Sequence, residues 1–195
     1  MTPVVDCHKV LRPCLGERVG GDAAFHDVRD GTLFLAIVDV LGHGAEAHEV
    51  ALQAEEFLRQ NWTPDVVETM TGLHAELTGT RGAAAGLGAL TLGTGELTYL
   101  GVGNTVARRF GRRPTDLVSF DGTLGARMRT PLPQHLTLEE RDVLLLYTDG
   151  VRAHFRQEEY PQLHSDHPAT IARTVVQRFG KSHDDAACIA ARYER

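Results

Sequence analysis

The sequence is poor in cysteine, with only three thiols, Cys7, Cys14 and Cys188, among 195 residues. An odd number without a pairing framework argues against a disulfide-stapled scaffold and predicts reduced thiols, as in a cytosolic protein. Cys7 and Cys14 are also not spaced like the ligands of a structural zinc site.

The sequence also lacks long apolar runs and an excess of positive charge. No apolar stretch approaches the length of a membrane span, and residues 1–6 lack the basic and apolar segments of a secretory leader. A formal net charge of -6 argues against a nucleic-acid-binding surface. We therefore expect a cytoplasmic protein with no membrane or nucleic-acid partner. A hydrophobic content of 42% is ordinary for a single globular domain, here residues 1–195.

Sequence signatures of covalent catalysis are missing as well. None of the three serines lies in a Gly-x-Ser-x-Gly turn. Residues 180–182, Gly-Lys-Ser, resemble the end of a phosphate-binding loop, but Val175 stands where its first glycine belongs. His43 and His48 are not at the i, i+4 spacing of a helical zinc pair. Elimination favours metal-assisted hydrolysis over a covalent intermediate.

Residues 33–44, Leu-Phe-Leu-Ala-Ile-Val-Asp-Val-Leu-Gly-His-Gly, are the most informative stretch. The apolar run predicts a buried strand that ends at Asp39. A carboxylate at the end of a buried strand is costly unless something compensates its charge. The glycines that follow predict a tight turn into a helix.

Two further segments place aspartates at predicted strand ends. Asp149 follows the apolar run 143–147, and Asp184 and Asp185 precede the strand-like run 186–191. Together with Asp22, which follows a glycine-rich turn, these residues form a candidate site for hard divalent cations such as Mg²⁺ or Mn²⁺. Spacing alone also allows the simpler interpretation that they are solvated turn residues.

The remaining pattern predicts an α+β fold with helices packed on antiparallel sheets. Strands are predicted over 3–10, 81–92, 97–102, 106–110, 117–120, 143–147 and 186–191. A first helix is predicted over 45–60, with Val50, Leu52, Ala54, Phe57 and Leu58 buried. A second helix is predicted to begin with Thr63 as its N-cap and Pro64 as its first residue, and a third spans 169–179.

Six short segments, read together, resemble the metal-dependent protein phosphatases of the PPM family, in the SpoIIE-like branch and closest to the short RsbX type of stressosome phosphatase. The segments are Gly20-Gly21-Asp22, residues 38–44, residues 81–85, Gly101-Val102-Gly103-Asn104, Tyr147-Thr148-Asp149-Gly150 and Asp184-Asp185-Ala186-Ala187. The resemblance spans nearly the whole chain and implies two antiparallel sheets flanked by helices, an α-β-β-α sandwich.

The resemblance also implies a two-metal site for Mn²⁺ or Mg²⁺. Asp39 would bridge both ions, Asp149 and Asp184 would hold the first, and Asp22 and the backbone carbonyl of Val40 would bind the second. Asp39, Asp149 and Asp184 are thus the implied catalytic residues.

Three further positions complete the implied site. Asp185 would support the ligands without binding metal. His43 could act as general acid, and Arg18 could contact phosphate, although an ion-paired arginine is the alternative. Gly103 and Asn104 offer no carboxylate for a third ion.

The implied function is a cytoplasmic, monomeric protein serine/threonine phosphatase that acts on phosphorylated STAS-domain proteins of the stressosome and resets stress signalling. One alternative is a catalytically inactive relative that binds phosphoproteins as an adaptor. Another is a hydrolase of small phosphoesters.

Overall fold

The computed structural model describes residues 4–130 and 132–194. Over these residues the chain forms thirteen strands and three α-helices. In chain order they are β1 (Val4–Arg12), β2 (Asp22–Arg29), β3 (Thr32–Val40), α1 (Gly44–Asn61), α2 (Val66–Glu76), β4 (Ala83–Thr91), β5 (Glu96–Val102), β6 (Val106–Phe110), β7 (Thr115–Leu117), β8 (Ser119–Phe120), β9 (Gly122–Thr123), β10 (Arg127–Met128), β11 (Gln134–Thr137), β12 (Val143–Tyr147), α3 (Pro168–Phe179) and β13 (Ala186–Glu194). None of the helices among the described residues is long and apolar enough to cross a membrane.

Two antiparallel sheets pack face to face between layers of helix. The first sheet has the order β1-β13-β12-β6-β7, and the second has the order β11-β5-β4-β3-β2. Helices α1 and α2 pack on the outer face of the second sheet, and α3 packs on the outer face of the first. The predicted α+β sandwich is therefore confirmed.

Strand β3 illustrates why the sandwich forms. Alternate side chains of a strand point to opposite faces, so Phe34, Ala36 and Val38 pack under the helices while Leu35 and Ile37 enter the core between the sheets. Because both faces are covered, the strand has a continuous apolar sequence rather than an alternating one.

The topology brings four strand ends to one edge of the sandwich. Strands β2 and β3 pair so that Asp22 lies opposite Asp39. In the other sheet, β12 ends and β13 begins at one edge, because Tyr147 pairs with Cys188. The segments that follow β12 and precede β13 therefore lie side by side.

The helix predictions were partly wrong. Leu52 is 53% exposed, whereas Ala47 and Ala51 are buried; small residues allow α1 to approach the sheet closely, so the larger apolar side chain is not needed there. The N-cap of α2 is Asp65, not Thr63, because its carboxylate accepts hydrogen bonds from the backbone N–H groups of Val67 and Glu68.

Two strand predictions also need correction. The segment predicted as one strand over 117–120 forms two, because β7 pairs with β6 while β8 pairs with β5 in the other sheet. The chain therefore changes sheets at Val118. Strand β11 was not predicted; it pairs with β5 at the edge of its sheet.

Candidate metal centre

Asp22 and Asp39 form the half of the site that belongs to the second sheet. They are cross-strand partners at the ends of β2 and β3. Asp22 is only 8% exposed, while Asp39 is partly exposed at the same edge. Facing carboxylates at a strand end repel each other unless they are protonated or share a cation.

Asp149 and Asp184 form the half that belongs to the first sheet. Asp149 follows β12 and Asp184 precedes β13, and the backbone at Gly150 packs directly against Asp185. A side chain at position 150 would place its Cβ only 1.6 Å from the carbonyl oxygen of Asp185. Glycine is therefore required after Asp149 for the two segments to meet.

The two halves interact electrostatically. Burial, together with the charges of Asp149 and Asp184, raises the pKa of Asp39 to about 7. Burial and the charge of Asp39 raise the pKa of Asp22 well above its ordinary value. Burial and the charge of Asp149 also raise the pKa of Asp184. All four predicted carboxylates thus lie in one cluster.

Thr148 ties the two halves together, a role that the sequence analysis missed. Its buried hydroxyl donates a hydrogen bond of 2.7 Å to Asp22 Oδ2 and accepts one of 2.9 Å from the backbone N–H of Ala187. Asp22 is thereby oriented by a residue of the opposite sheet. The position of this threonine directly before Asp149 was the only signal of its role in the sequence.

Asn104 is a second contact that the sequence analysis overlooked. Its side-chain amide donates a hydrogen bond of 2.7 Å to Asp149 Oδ2, and it also stabilises the ionised form of Asp39. The residue follows β5 on a tight turn at the same edge of the sandwich. Asn104 therefore orients the carboxylates of the cluster and does not itself supply a carboxylate ligand.

Asp185 differs from the other aspartates in its hydrogen bonds. Its two oxygens accept hydrogen bonds from the backbone N–H groups of Cys14, at 2.8 Å, and Gly21, at 2.7 Å. Both of its oxygens are therefore engaged by the loop that leads into Asp22. This geometry holds that loop in place and leaves Asp184 as the member of the pair beside Asp149.

The turn after β3 places the remaining predicted residues. The side chain of Val40 is buried under α1, so only its backbone could contribute a ligand. Gly42 has a φ of +90°, which permits the sharp turn into α1. His43 lies beside Glu17, with Nδ1 3.1 Å from Oε1. Arg18 lines a pocket of about 210 Å³ that also includes Asp22.

The donor set suits hard divalent cations. Four carboxylates converge, three of them have raised pKa values, and no lysine or arginine forms an ion pair with any of them among the described residues. Oxygen ligands without nitrogen or sulfur favour Mg²⁺ or Mn²⁺. Divalent cations would relieve the repulsion that the protein itself leaves uncompensated.

Comparison with solved structures shows the same fold. A structure from work on the bacterial stressosome superimposes with a TM-score of 0.90 and 26% identity, covering 97% of this chain and 100% of the other. RsbX in complex with magnesium gives 0.85 and 19%, covering 97% and 96%. The catalytic domain of the serine/threonine protein phosphatase PstP with two manganese ions gives 0.76 and 16%, covering 100% of both chains.

Sequence comparison identifies the family. No curated protein matches the chain, but the family model for stage II sporulation protein E, SpoIIE, matches residues 29–194. This range includes Asp39, Asp149 and Asp184 and begins after Asp22. The chain therefore belongs to the SpoIIE family, within the PPM-type serine/threonine phosphatases.

Proposed function

We propose that this protein is a metal-dependent protein serine/threonine phosphatase that acts on phosphorylated STAS-domain proteins of the stressosome. The observation that carries the proposal is the convergence of four aspartates, two from each sheet, at one edge of the sandwich. A structural role would not require such a cluster, because buried like charges destabilise the fold.

Two divalent cations, Mn²⁺ or Mg²⁺, would be held by these residues. Asp39 would contact both ions, Asp149 and Asp184 the first, and Asp22 and the Val40 carbonyl the second. When bound, such a pair neutralises charge on a phosphoryl group and makes a water molecule acidic enough to serve as the nucleophile.

The surrounding residues fix the geometry of the carboxylates. Thr148 donates to one oxygen of Asp22, which leaves the other oxygen free to bind a cation. Asn104 holds Asp149 from the opposite side. Asp185 anchors the backbone at Cys14 and Gly21, and thereby the loop that leads into Asp22. Oriented ligands of this kind typically improve metal affinity or activity about 10–100-fold.

A protein substrate fits the surface around the aspartates. Two grooves flank the cluster, one of about 210 Å³ beside Arg18 and one of about 330 Å³ beside Asn104. The side chain of Leu41, at the edge of the second groove, is 51% exposed. The similarity to a stressosome structure and to RsbX supports STAS-domain proteins as the partners. We propose that the protein acts as a monomer in the cytoplasm.

The decisive experiment is manganese-dependent release of phosphate from a phosphorylated STAS-domain protein, by the native chain and by Asp39→Ala. We expect the substitution to abolish turnover and leave a folded domain, because the side chain lies at a partly exposed strand end. Turnover close to that of the native protein would contradict the proposal.

The same experiment separates the two competing functions. An adaptor would retain the phosphorylated partner in a pull-down without releasing phosphate, and Asp39→Ala would change neither result. A hydrolase of small phosphoesters would cleave para-nitrophenyl phosphate efficiently but leave the phosphoprotein intact.

A further inference from the structure

Two groups of metal-ligating side chains lie outside the aspartate cluster in the described part of the chain. The first comprises Asp6, His8 and His167. Its contacts are explained by helix capping: His167 Nδ1 accepts a hydrogen bond from the backbone N–H of Ala169 at the start of α3, and Nε2 lies 2.5 Å from Asp6. Both ring nitrogens of His167 are thus engaged, one of them in capping α3, so binding a cation there would cost the helix its cap.

The second group comprises Cys14, Glu17 and His43. One donor atom from each residue lies within 4.8 Å of the other two. His43 Nδ1 is 3.1 Å from Glu17 Oε1, and the N–H of Glu17 donates to the carbonyl of Cys14 in a tight turn. Cys14 is itself fixed, because its own N–H donates to Asp185. The donors are therefore already gathered before any ligand binds.

The chemistry of this donor set differs from that of the aspartate cluster. Thiolate, imidazole and carboxylate together select borderline or soft cations such as Zn²⁺ and Cd²⁺, whereas Mg²⁺ avoids sulfur. We propose that Cys14, Glu17 and His43 form a zinc-class cation site, separate from the aspartate cluster. With three protein ligands, the fourth position of a tetrahedral ion would be open to water.

The geometry requires only a small adjustment to hold such an ion. Ligand atoms around tetrahedral zinc are roughly 3.3–3.6 Å apart, given metal–ligand distances of about 2.0–2.3 Å. The side chains of Glu17 and His43 are partly or largely exposed, so they can move towards the buried Cys14. On binding, the thiol proton of Cys14 is released to solvent. Burial and the charges of Asp185, Glu17 and Asp184 raise the pKa of this thiol, so the cation must displace its proton.

A surface ion pair between Glu17 and His43 would account for only part of the arrangement. It would not explain why a thiol lies within reach of both groups. The three residues also come from two segments that border the aspartate cluster: the loop before Asp22 and the turn after Asp39. A bound cation would tie these two segments together.

The test uses the complete protein, stripped of metal and then saturated with Mg²⁺ to occupy the oxygen-ligand site. Cd²⁺ is titrated in while the ultraviolet cadmium–thiolate charge-transfer band is recorded. We expect a band that saturates at one equivalent, is lost in Cys14→Ser and is retained in the matched control Cys7→Ser. Competition with Zn²⁺ should remove the band.

Three more variants test the other ligands and the independence of the site. Glu17→Gln and His43→Asn should each weaken Cd²⁺ binding more than about tenfold, because substitution of a residue that only orients a ligand already costs about 10–100-fold. The control variant His8→Asn should bind Cd²⁺ as the native protein does. Asp39→Asn should keep the band. Because Glu17 and His43 are surface residues, their variants should fold, and they test the proposed site even if Cys14→Ser fails to fold.

Four results would overturn the proposal: no band in the native protein, a band that persists in Cys14→Ser, unchanged affinity in both Glu17→Gln and His43→Asn, or loss of the band in Asp39→Asn. The first two would show that Cys14 does not bind the cation, the third that a thiol binds it without Glu17 and His43, and the last that the thiol site is not separate from the aspartate cluster. None of these readouts depends on phosphatase activity.

Discussion

Thr148 allows the link between the two sheets to be measured with a matched pair of substitutions. Thr148→Val preserves the shape of the side chain but removes both hydrogen bonds of the hydroxyl. Thr148→Ser keeps the hydroxyl and removes one buried methyl group. The pair therefore separates the contribution of the hydroxyl from that of packing.

The magnitudes follow from the contacts. Losing a hydrogen bond to a charged group costs about 1.5–3 kcal/mol, and leaving the buried N–H of Ala187 without a partner costs about 1–3 kcal/mol. Since one hydroxyl makes both bonds, the effects are not fully additive, and we expect Thr148→Val to lower the free energy of unfolding by about 2–4 kcal/mol. For Thr148→Ser we expect about 1 kcal/mol, from the lost methyl group.

Urea denaturation provides the assay. Trp62 is buried and stacked on Phe34, so its fluorescence reports unfolding of the second sheet and its helices, while circular dichroism follows the whole domain. Coincident transitions would justify a two-state analysis. If Thr148→Val were as stable as the native protein, or Thr148→Ser less stable than Thr148→Val, the hydroxyl would not connect the sheets as described.

The other predictions concern the aspartates and their ions. Asp184→Asn should be nearly inactive at saturating Mn²⁺ but as stable as the native protein. Asp185→Asn should retain measurable turnover but lose about 1–3 kcal/mol of the free energy of unfolding, because one buried N–H loses its acceptor. The opposite order of activity would make Asp185 the ligand. Mn²⁺ or Mg²⁺ at 100 times its dissociation constant should add about 2.7 kcal/mol to the free energy of unfolding; a melting temperature unaffected by millimolar metal would argue against the site. In chelator, stability should fall as the pH rises towards the Asp39 pKa of about 7, because the folded state binds a proton that the unfolded state has already released. Denaturation of the native protein and of Asp39→Asn at pH 5 and pH 8 checks this, since the substitution should make the pH dependence shallower.

The sequence was informative wherever a local pattern coincided with the fold. An apolar run ending in a carboxylate predicted both the buried strand and the position of Asp39, and the same logic located Asp149. The structure adds the convergence of these residues, which depends on how strands distant in the sequence pair. The roles of individual aspartates as ligands remain predictions until metal binding is measured.

Long-range partners could not be predicted from local patterns. Nothing in the residues around Thr148 or Asn104 indicates which carboxylate each one contacts, because those contacts depend on the packing of the sheets. Likewise, Thr63 and Asp65 are both good N-cap residues, and only the structure shows that the Asp65 carboxylate accepts the hydrogen bonds at the start of α2.

The link between the sheets also has a consequence for folding. The hydrogen bond from Thr148 to Asp22 joins residues 126 positions apart, and that from Gly21 to Asp185 spans 164 positions. Contacts of such high sequence separation form late, because the chain must first lose the entropy of a very large loop. During synthesis, strands β2 to β5 and helices α1 and α2 emerge long before β13. The complete cation site therefore cannot exist on a nascent chain that lacks its last strand, and metal would stabilise the finished domain without guiding its early assembly.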